Sequence, residues 1–545
     1  MKQKQIKNII RWGRLLSLCA LVLSASLAFA GSSKLSTDLA LNASGQVDVI
    51  VQYNQAPTAE YHQKVLSRGG TLKRDLGQFK GAAYTMPTSA LADLAGDLDV
   101  VYISPDRPLH GASTGSTAWT LDYHTATVNA PAAWAQGLDG TGIGVALIDS
   151  GIASNPDLNA GKIIFSEDFT GNIYGSAADQ YGHGTHVAGI LAGDGASSTG
   201  SNDFYTFKGI ADNVNLIDLR VLDLNGAGTD SRVIAAIETA IQRRSTFNIR
   251  VINLSLGRGV YESYTLDPLC QAVERAWKSG IVVVVAAGNY GRDNNAGTNG
   301  YGSITAPGND PYAITVGAMN TMGTPSRADN VIASYSSKGP TLFDQVVKPD
   351  LVAPGNLIIS LYSAADTLNL EYPGNEIPTS LYQTNGSSAA SGAYFILSGT
   401  SMAAPMVSGA AALMLQHSPS LTPDQVKARL MKSAFKNLVL HSTATDPATG
   451  ITYHDQADPF TVGAGYLDIQ AALLNTDLAP ATTGSAMSPA VALDSNGDVV
   501  LVIGSSAMWG SSTMWGSSAM WGSSAMWGAS TSTEGAAAGF VSDPE

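Results

Sequence analysis

Cysteine is nearly missing from this chain, with only Cys19 and Cys270 among 545 residues. Cys19 falls in a leader segment, which leaves Cys270 alone, and a single thiol cannot close an internal disulfide. A disulfide-stapled fold is thereby excluded, so stability has to come from core packing, with bound ions as the supplement. Charge is also scarce at 14% and leans acidic, with 44 Asp and Glu against 30 Lys and Arg. A net charge of −14 argues against nucleic acid and anionic membranes as partners and suits solubility outside the cell. Beyond residue 30 no apolar run approaches the roughly 20 residues that span a bilayer. The apolar fraction, by contrast, is 44%, enough in a chain of this length for a large core and more than one domain.

Residues 1–30 read as a secretory signal peptide. Lys2, Lys4, Lys7, Arg11 and Arg14 form a basic start, Leu15 to Phe29 an apolar run, and Ala28-Phe29-Ala30 a small-residue cleavage site. Losing those five positive charges takes the net charge from −14 to −19. The run is short for a membrane anchor and serines interrupt it, while Leu18 stands where a lipoprotein signal at Cys19 needs a small residue. The expected product is secreted and extracellular, with no transmembrane anchor after signal cleavage. Cys270 lies in an amphipathic helix predicted from Pro268 to Ser279 with no histidine beside it in sequence, the setting of a structural thiol.

Residues 31–117 form a separate small module by pattern. Strands are predicted over 47–53, 82–86 and 100–104 and helices over 59–68 and 89–96, an α+β arrangement with an open sheet face. A junction rich in Gly, Ser and Thr follows, from Leu109 to about Ala126. Residues 118–475 alternate strands with helices. Gly144–Asp149, Leu216–Leu222, Ile249–Leu256, Ile281–Ala287 and Ala313–Ala318 are near-continuous apolar runs, as strands covered on both faces require. Helical character marks Ser231–Arg243, Leu269–Ser279, Ser401–Gln416 and Pro423–Lys432, the last opened by the capping sequence Thr422-Pro423-Asp424-Gln425. The expected fold class is α/β: a three-layer, mostly parallel sheet with helices on both faces, preceded by the small α+β module. Residues 476–504 read as a linker with a candidate β-hairpin around Asn496-Gly497. Four Ser-Ser-(Ala/Thr)-Met-Trp-Gly hexads occupy 505–528, and a tail occupies 529–545.

Three short segments carry the chemistry. Asp149 ends the run Gly144–Asp149 and is followed by Ser150-Gly151, which places a carboxylate at the end of a parallel strand, where such sheets bind ligands. His183 lies in Gly182-His183-Gly184-Thr185-His186, near the start of a helix. Ser401 lies in Ser398-Gly399-Thr400-Ser401-Met402-Ala403-Ala404-Pro405, opening an apolar helix whose free N–H groups favour a developing oxyanion. Aspartate, histidine and serine are what a hydroxyl needs to become an acyl-transfer nucleophile at neutral pH. A zinc site on His183 and His186 is disfavoured, because the spacing is three and no glutamate intervenes.

These motifs, in the order Asp, His, Ser, resemble the subtilisin-like serine proteases, and the resemblance extends over nearly all of 118–475. It implies a secreted serine endopeptidase acting on polypeptide substrates through an acyl-enzyme on Ser401, with no cofactor required for the chemistry. His183 would be base and then acid, Asp149 its orienter, and Asn289, after the strand 281–285, the oxyanion-hole amide. Ser255, Leu256 and Gly257 would pair with substrate backbone, and with Ala286 and Gly288 would border a roomy pocket for the residue before the cut. The module at 31–117 would be an inhibitory propeptide, the enzyme's own inhibitor, removed by self-cleavage. Asp157, in Asn155-Pro156-Asp157-Leu158, matches a calcium-binding segment of the family, and a structural calcium and a plain loop acid both stay open there. Two departures from the family pattern are a long loop at Gly193–Phe207 and the stretch Ser360–Leu397. Rival readings are an exopeptidase of the same fold and, from another class, a surface adhesion protein with an idle triad, whose tail partner the sequence does not name.

Overall fold

The computed structural model describes residues 34–39, 45–111, 120–171, 176–364, 366–446, 449–493 and 499–502. The signal peptide, the hexads and the tail therefore lie outside the described residues. The chain forms two compact units that part after Asp106.

The first unit contains β1 (Gln46–Tyr53), α1 (Ala59–Leu66), β2 (Thr71–Leu76), β3 (Gly81–Pro87), α2 (Leu91–Ala95) and β4 (Val100–Pro105). Its sheet runs β2-β3-β1-β4, with antiparallel neighbours throughout. Val49, Val51, Tyr84, Met86 and Ile103 project from the sheet into a core shared with Tyr61 and Val65 of α1 and Leu94 of α2. The period-2 and helical patterns mark these elements. Only β2 was not predicted, because Lys73, Arg74 and Asp75 leave this edge strand without a buried alternation.

The second unit opens with β5 (Pro108–Gly111), α3 (His124–Thr127), α4 (Ala130–Trp134), β6 (Gly144–Asp149) and β7 (Ile163–Asp168). Next come α5 (His183–Ala192), β8 (Asn215–Arg220), β9 (Ala227–Thr229), α6 (Asp230–Phe247), β10 (Ile249–Leu254) and β11 (Leu256–Gly257). Then follow α7 (Pro268–Lys278), β12 (Val282–Ala286), β13 (Ile314–Asn320), β14 (Val331–Ile332) and β15 (Leu351–Pro354). The central sheet has the order β14-β13-β12-β10-β6-β8-β7, with β15 also on β13, and every pairing but β13–β14 is parallel. Helices α6 and α7 pack on one face. On the other face α5 packs with the long helix α9 (Thr400–His417), introduced below. Every residue of β6 and β12 is buried, which is why both read as unbroken apolar runs.

The stretch before the serine motif builds β16 (Ile358–Leu361), α8 (Thr367–Glu371), β17 (Glu376–Pro378) and β18 (Ala390–Leu397), with the three strands in one antiparallel sheet. The loop 193–207 packs onto it. Asp203 bridges to Gln383, and the Phe207 ring lies 4.7 Å from that of Tyr394 and 5.5 Å from that of Tyr382. After α9 come α10 (Pro423–Ser433), β19 (His441–Thr445), β20 (Thr452–Gln456), α11 (Ile469–Leu474), β21 (Val491–Leu493) and β22 (Val499–Leu501). The capping box at Thr422 and Gln425 forms as expected.

Residues 479–493 and 499–502 do not behave as the linker expected of 476–504. Gln425 Nε2 donates to the Ala479 carbonyl at 3.0 Å, and the Ala486 N–H donates to Asp424 at 2.8 Å. The antiparallel pair β21–β22 buries Val491 and Val499 against Tyr301, Val347 and Phe460. The two strands of the candidate hairpin are thus present, while the turn at Asn496-Gly497 lies outside the described residues. No helix among the described residues is long and apolar enough to cross a membrane.

Candidate active site

Strand β6 delivers Asp149 and helix α5 begins at His183, so the packing of the α5 start on the β6 end brings the two together. Gly151 turns the chain at φ +102°, and a Cβ at Gly184 would fall 2.2 Å from the Gly151 carbonyl oxygen. Glycine at both positions is what allows this approach. His183 Nδ1 lies 2.7 Å from Asp149 Oδ1, which also accepts the Ser150 N–H at 2.8 Å. Both side chains are buried. Burial pushes the imidazole down, but the Asp149 carboxylate, helped by Asp179, outweighs it and holds His183 above its ordinary pKa. A carboxylate on Nδ1 fixes the tautomer and leaves Nε2 as the open ring nitrogen, with no hydrogen-bond partner among the described residues.

Asp179 escaped the sequence reading. It is buried and accepts from the N–H groups of Tyr181, Gly182 and Thr185 and from the hydroxyls of Ser150 and Thr185, at 2.7–3.0 Å. Ser150 Oγ in turn accepts the Gly184 N–H at 2.8 Å. Asp179 therefore ties the strand end that carries Asp149 to the helix start that carries His183. An acidic residue just ahead of Gly182-His183-Gly184-Thr185 was the available signal.

Ser401 is the second residue of α9. Its Oγ donates to the Ser255 carbonyl at 3.0 Å, and Ser255 Oγ donates to the Ser401 carbonyl at 2.8 Å. Asn253 supports the pair, donating to Ser255 Oγ at 3.0 Å and accepting from Ser408 at 2.8 Å. Asn289 uses its carboxamide oxygen to accept the Thr400 N–H at 2.9 Å and the Thr400 hydroxyl at 3.0 Å. Its position after β12 is thereby locked beside the start of α9.

Strand β5 lies at the centre of a three-stranded antiparallel sheet, β11-β5-β9. Gly111 pairs with Leu256 and His110 with Gly257 on one side, while Leu109 pairs with Gly228 on the other. A Cβ at Gly111 would lie 3.4 Å from His183 Nδ1 and 3.2 Å from Leu222. An extended segment of the chain thus runs along Leu256-Gly257 and brings Gly111 against the imidazole. Behind these strands Thr305 donates its N–H to the Ala287 carbonyl at 3.0 Å, and its neighbour Ala306 pairs with Arg258.

His186 faces away from this chemistry. Its Nε2 is 3.1 Å from both the Ile358 and Phe395 carbonyls, and burial, with His183 nearby, lowers its pKa to about 3, so it stays neutral. No group of three His, Cys, Asp or Glu side chains suited to a metal occurs among the described residues. Asp157 does not fit a calcium site. Its Oδ1 accepts the Ser197 N–H at 2.8 Å and its Oδ2 the Tyr394 hydroxyl at 2.6 Å, so protein donors stand where the ion would. Calcium takes six to eight oxygen ligands, and an amide N–H and a hydroxyl donor cannot contribute to that shell. Cys270 is a buried free thiol that donates to Asn309 at 3.3 Å, pushed well above its ordinary pKa by burial.

The second unit's architecture, the contact of Asp149 with His183 and the place of Ser401 at the start of α9 agree with comparison to known proteins. The family described as Subtilase family (Peptidase_S8) matches residues 140–465. Subtilisin E of Bacillus subtilis (strain 168) is 34% identical over 76% of this chain and 92% of its own length. Serine protease AprX of the same organism is 41% identical over 55% of this chain, a match that spans 63% of AprX. Among solved structures, fervidolysin from Fervidobacterium pennivorans superposes with a TM-score of 0.58 at 22% identity, covering 84% of this chain and 65% of that one, and so shares the fold. The match to 140–465 contains all three motif residues, and the chain belongs to the subtilase family of serine peptidases.

Proposed function

We propose that this subtilase is a secreted endopeptidase made as a zymogen, in which residues 31–117 are an inhibitory propeptide and Asp149, His183 and Ser401 perform the cleavage. His183 Nε2 takes the proton from Ser401 Oγ as the oxygen attacks the scissile carbonyl, and Asp149 stabilises the imidazolium that forms. The oxyanion is held by the Asn289 amide and the Ser401 N–H at the start of α9. The C–N bond breaks as His183 returns the proton to the leaving amine, giving an acyl-enzyme on Ser401. Water, activated by the same imidazole, then hydrolyses the ester and regenerates the serine.

The observation that carries this reading is the Asp149–His183 contact of 2.7 Å with a buried Nε2 left for the nucleophile. Strand β5 supports the zymogen and endopeptidase parts. It follows directly on the first compact unit in sequence and lies between β9 and β11 as a substrate backbone would. A cleft that takes four residues in extended form favours cutting within a chain over trimming its end.

The test is covalent labelling with an organophosphorus inhibitor of serine hydrolases. A single adduct on the peptide carrying Ser401, lost in Ser401→Ala, is expected. No adduct, together with no hydrolysis of casein, would sink the assignment.

A further inference from the structure

The extended segment in the cleft is anchored at its start by a charge. Just ahead of β5, Arg107 Nη1 lies 2.8 Å from Glu262 Oε1, and the two side chains are only 3% and 5% exposed. The guanidinium also sits 5.4 Å from the centre of the Tyr261 ring. Arginine is almost never buried this far unless it is paired, and a carboxylate and an aromatic ring are the two surfaces that hold a guanidinium best. The backbone is fixed as well, since the Arg107 carbonyl accepts the Asp230 N–H at 3.0 Å.

The register of the cleft strands explains why these groups meet. Strand β11 is antiparallel to β5, with Leu256 on Gly111 and Gly257 on His110, so the chain beyond Gly257 heads for the start of β5. On the other side Pro108 pairs with Thr229, and Asp230 follows as the first residue of α6. The charges point the same way. Arg258 already joins the buried carboxylates of Asp230 and Asp267. With Glu262 the cluster holds three carboxylates, and Arg107 is its second guanidinium. Residues 31–117, proposed above to leave on processing, take Arg107 with them. Glu262 then loses the cation at 2.8 Å, and a buried carboxylate stripped of its cation is strongly unfavourable.

We infer that Glu262, beside the Tyr261 ring, is a cation subsite at the far end of the cleft, filled by Arg107 in the precursor and offered to an arginine of a bound polypeptide in the processed enzyme. It lies three residues upstream of the position that pairs with Gly257, because His110 holds that position and Arg107 precedes it by three. The inference rests on the zymogen and endopeptidase reading above. It gives that cleft an acidic end, so the enzyme favours substrates that carry a basic residue well ahead of the cut.

The test uses the enzyme produced from the full chain and freed of residues 31–117, with casein as a general substrate. Its probes are p-nitroanilides that repeat residues 107–112, acetyl-X-Pro-Leu-His-Gly-Ala, with arginine, citrulline or glutamate at X. Citrulline keeps the size of arginine without its charge. The parent should show a kcat/KM at least about tenfold higher for arginine than for citrulline, with glutamate lower still. Glu262→Gln should bring the arginine-to-citrulline ratio down to about one. A casein-degrading parent that does not distinguish arginine from citrulline overturns the inference, whether or not the variant folds. So does a casein-degrading Glu262→Gln that keeps the preference, or a casein-degrading parent that cuts none of the anilides. Loss of casein and anilide hydrolysis alike in the parent would instead count against the peptidase reading.

Discussion

Ser255 and Ser401 hydrogen-bond to each other in both directions: Ser401 Oγ donates to the Ser255 carbonyl at 3.0 Å, and Ser255 Oγ donates to the Ser401 carbonyl at 2.8 Å. The strand edge expected to pair with substrate is thereby fixed to the residue expected to attack it. Removing the Ser255 hydroxyl costs a buried hydrogen bond, worth about 1 kcal/mol. Ser255→Ala should therefore lower kcat roughly fivefold while the fold persists, as steady-state kinetics and circular dichroism would show.

As the proposed base, His183 must be neutral to accept a proton, and Asp149 holds its pKa above the ordinary value. Activity should accordingly rise with pH and level off only above the usual histidine range near 6.5. Asp149→Asn removes the charge that opposes burial. The acid limb of the pH–rate profile should move down, and kcat should fall by about 10⁴ because the wrong tautomer is stabilised. A variant with an unshifted limb and near-normal kcat would remove Asp149 from the mechanism.

Asn289 is expected to act only when negative charge develops. Asn289→Ala should lower kcat by about 10²–10³, the loss known for the oxyanion-hole amide of subtilisin, with KM changed little. Equal effects on kcat and KM would point to ground-state binding instead.

Tyr394 and Ser197 satisfy the Asp157 carboxylate, where the family resemblance left a structural calcium and a plain loop acid both open. A chelator should therefore leave the thermal unfolding midpoint of this region's fold unchanged. Tyr394→Phe should destabilise the protein by about 1–3 kcal/mol, since a buried carboxylate loses its hydroxyl partner. A midpoint that drops on chelation and recovers with calcium would contradict this account.

Arg258 joins two buried carboxylates, with Nη2 at 2.7 Å from Asp230 and 2.8 Å from Asp267. It also lies next to Gly257 in sequence and so anchors that wall of the cleft. Arg258→Met strands both acids, and a loss of about 3–5 kcal/mol in a denaturant titration is expected.

What was legible in the sequence, and what was not, divides along physical lines. Runs such as Gly144–Asp149 and Val282–Ala286 announce themselves because strands covered on both faces admit no polar residue. Edge strand β7, with Ser166, Glu167 and Asp168, and the short β15 gave no such signal. Asp149, His183 and Ser401 stand out because each is embedded in small residues that allow close approach. Asp179 is not legible because its role arises from bonds that tie the strand end at Ser150 to the helix start at Gly182–Thr185. Residues 479–493 look like a linker in composition, but hydrogen bonds from Ala479 and Ala486 to Gln425 and Asp424, invisible in composition, hold them in place.

The central claim is that this triad works and first acts on its own chain. The most direct measurement is the intact mass of the expressed precursor beside its Ser401→Ala variant. The account predicts that only the parent loses about residues 31–117, while the variant retains them. Identical trimming of both proteins, or an untrimmed parent that leaves casein intact, would contradict it.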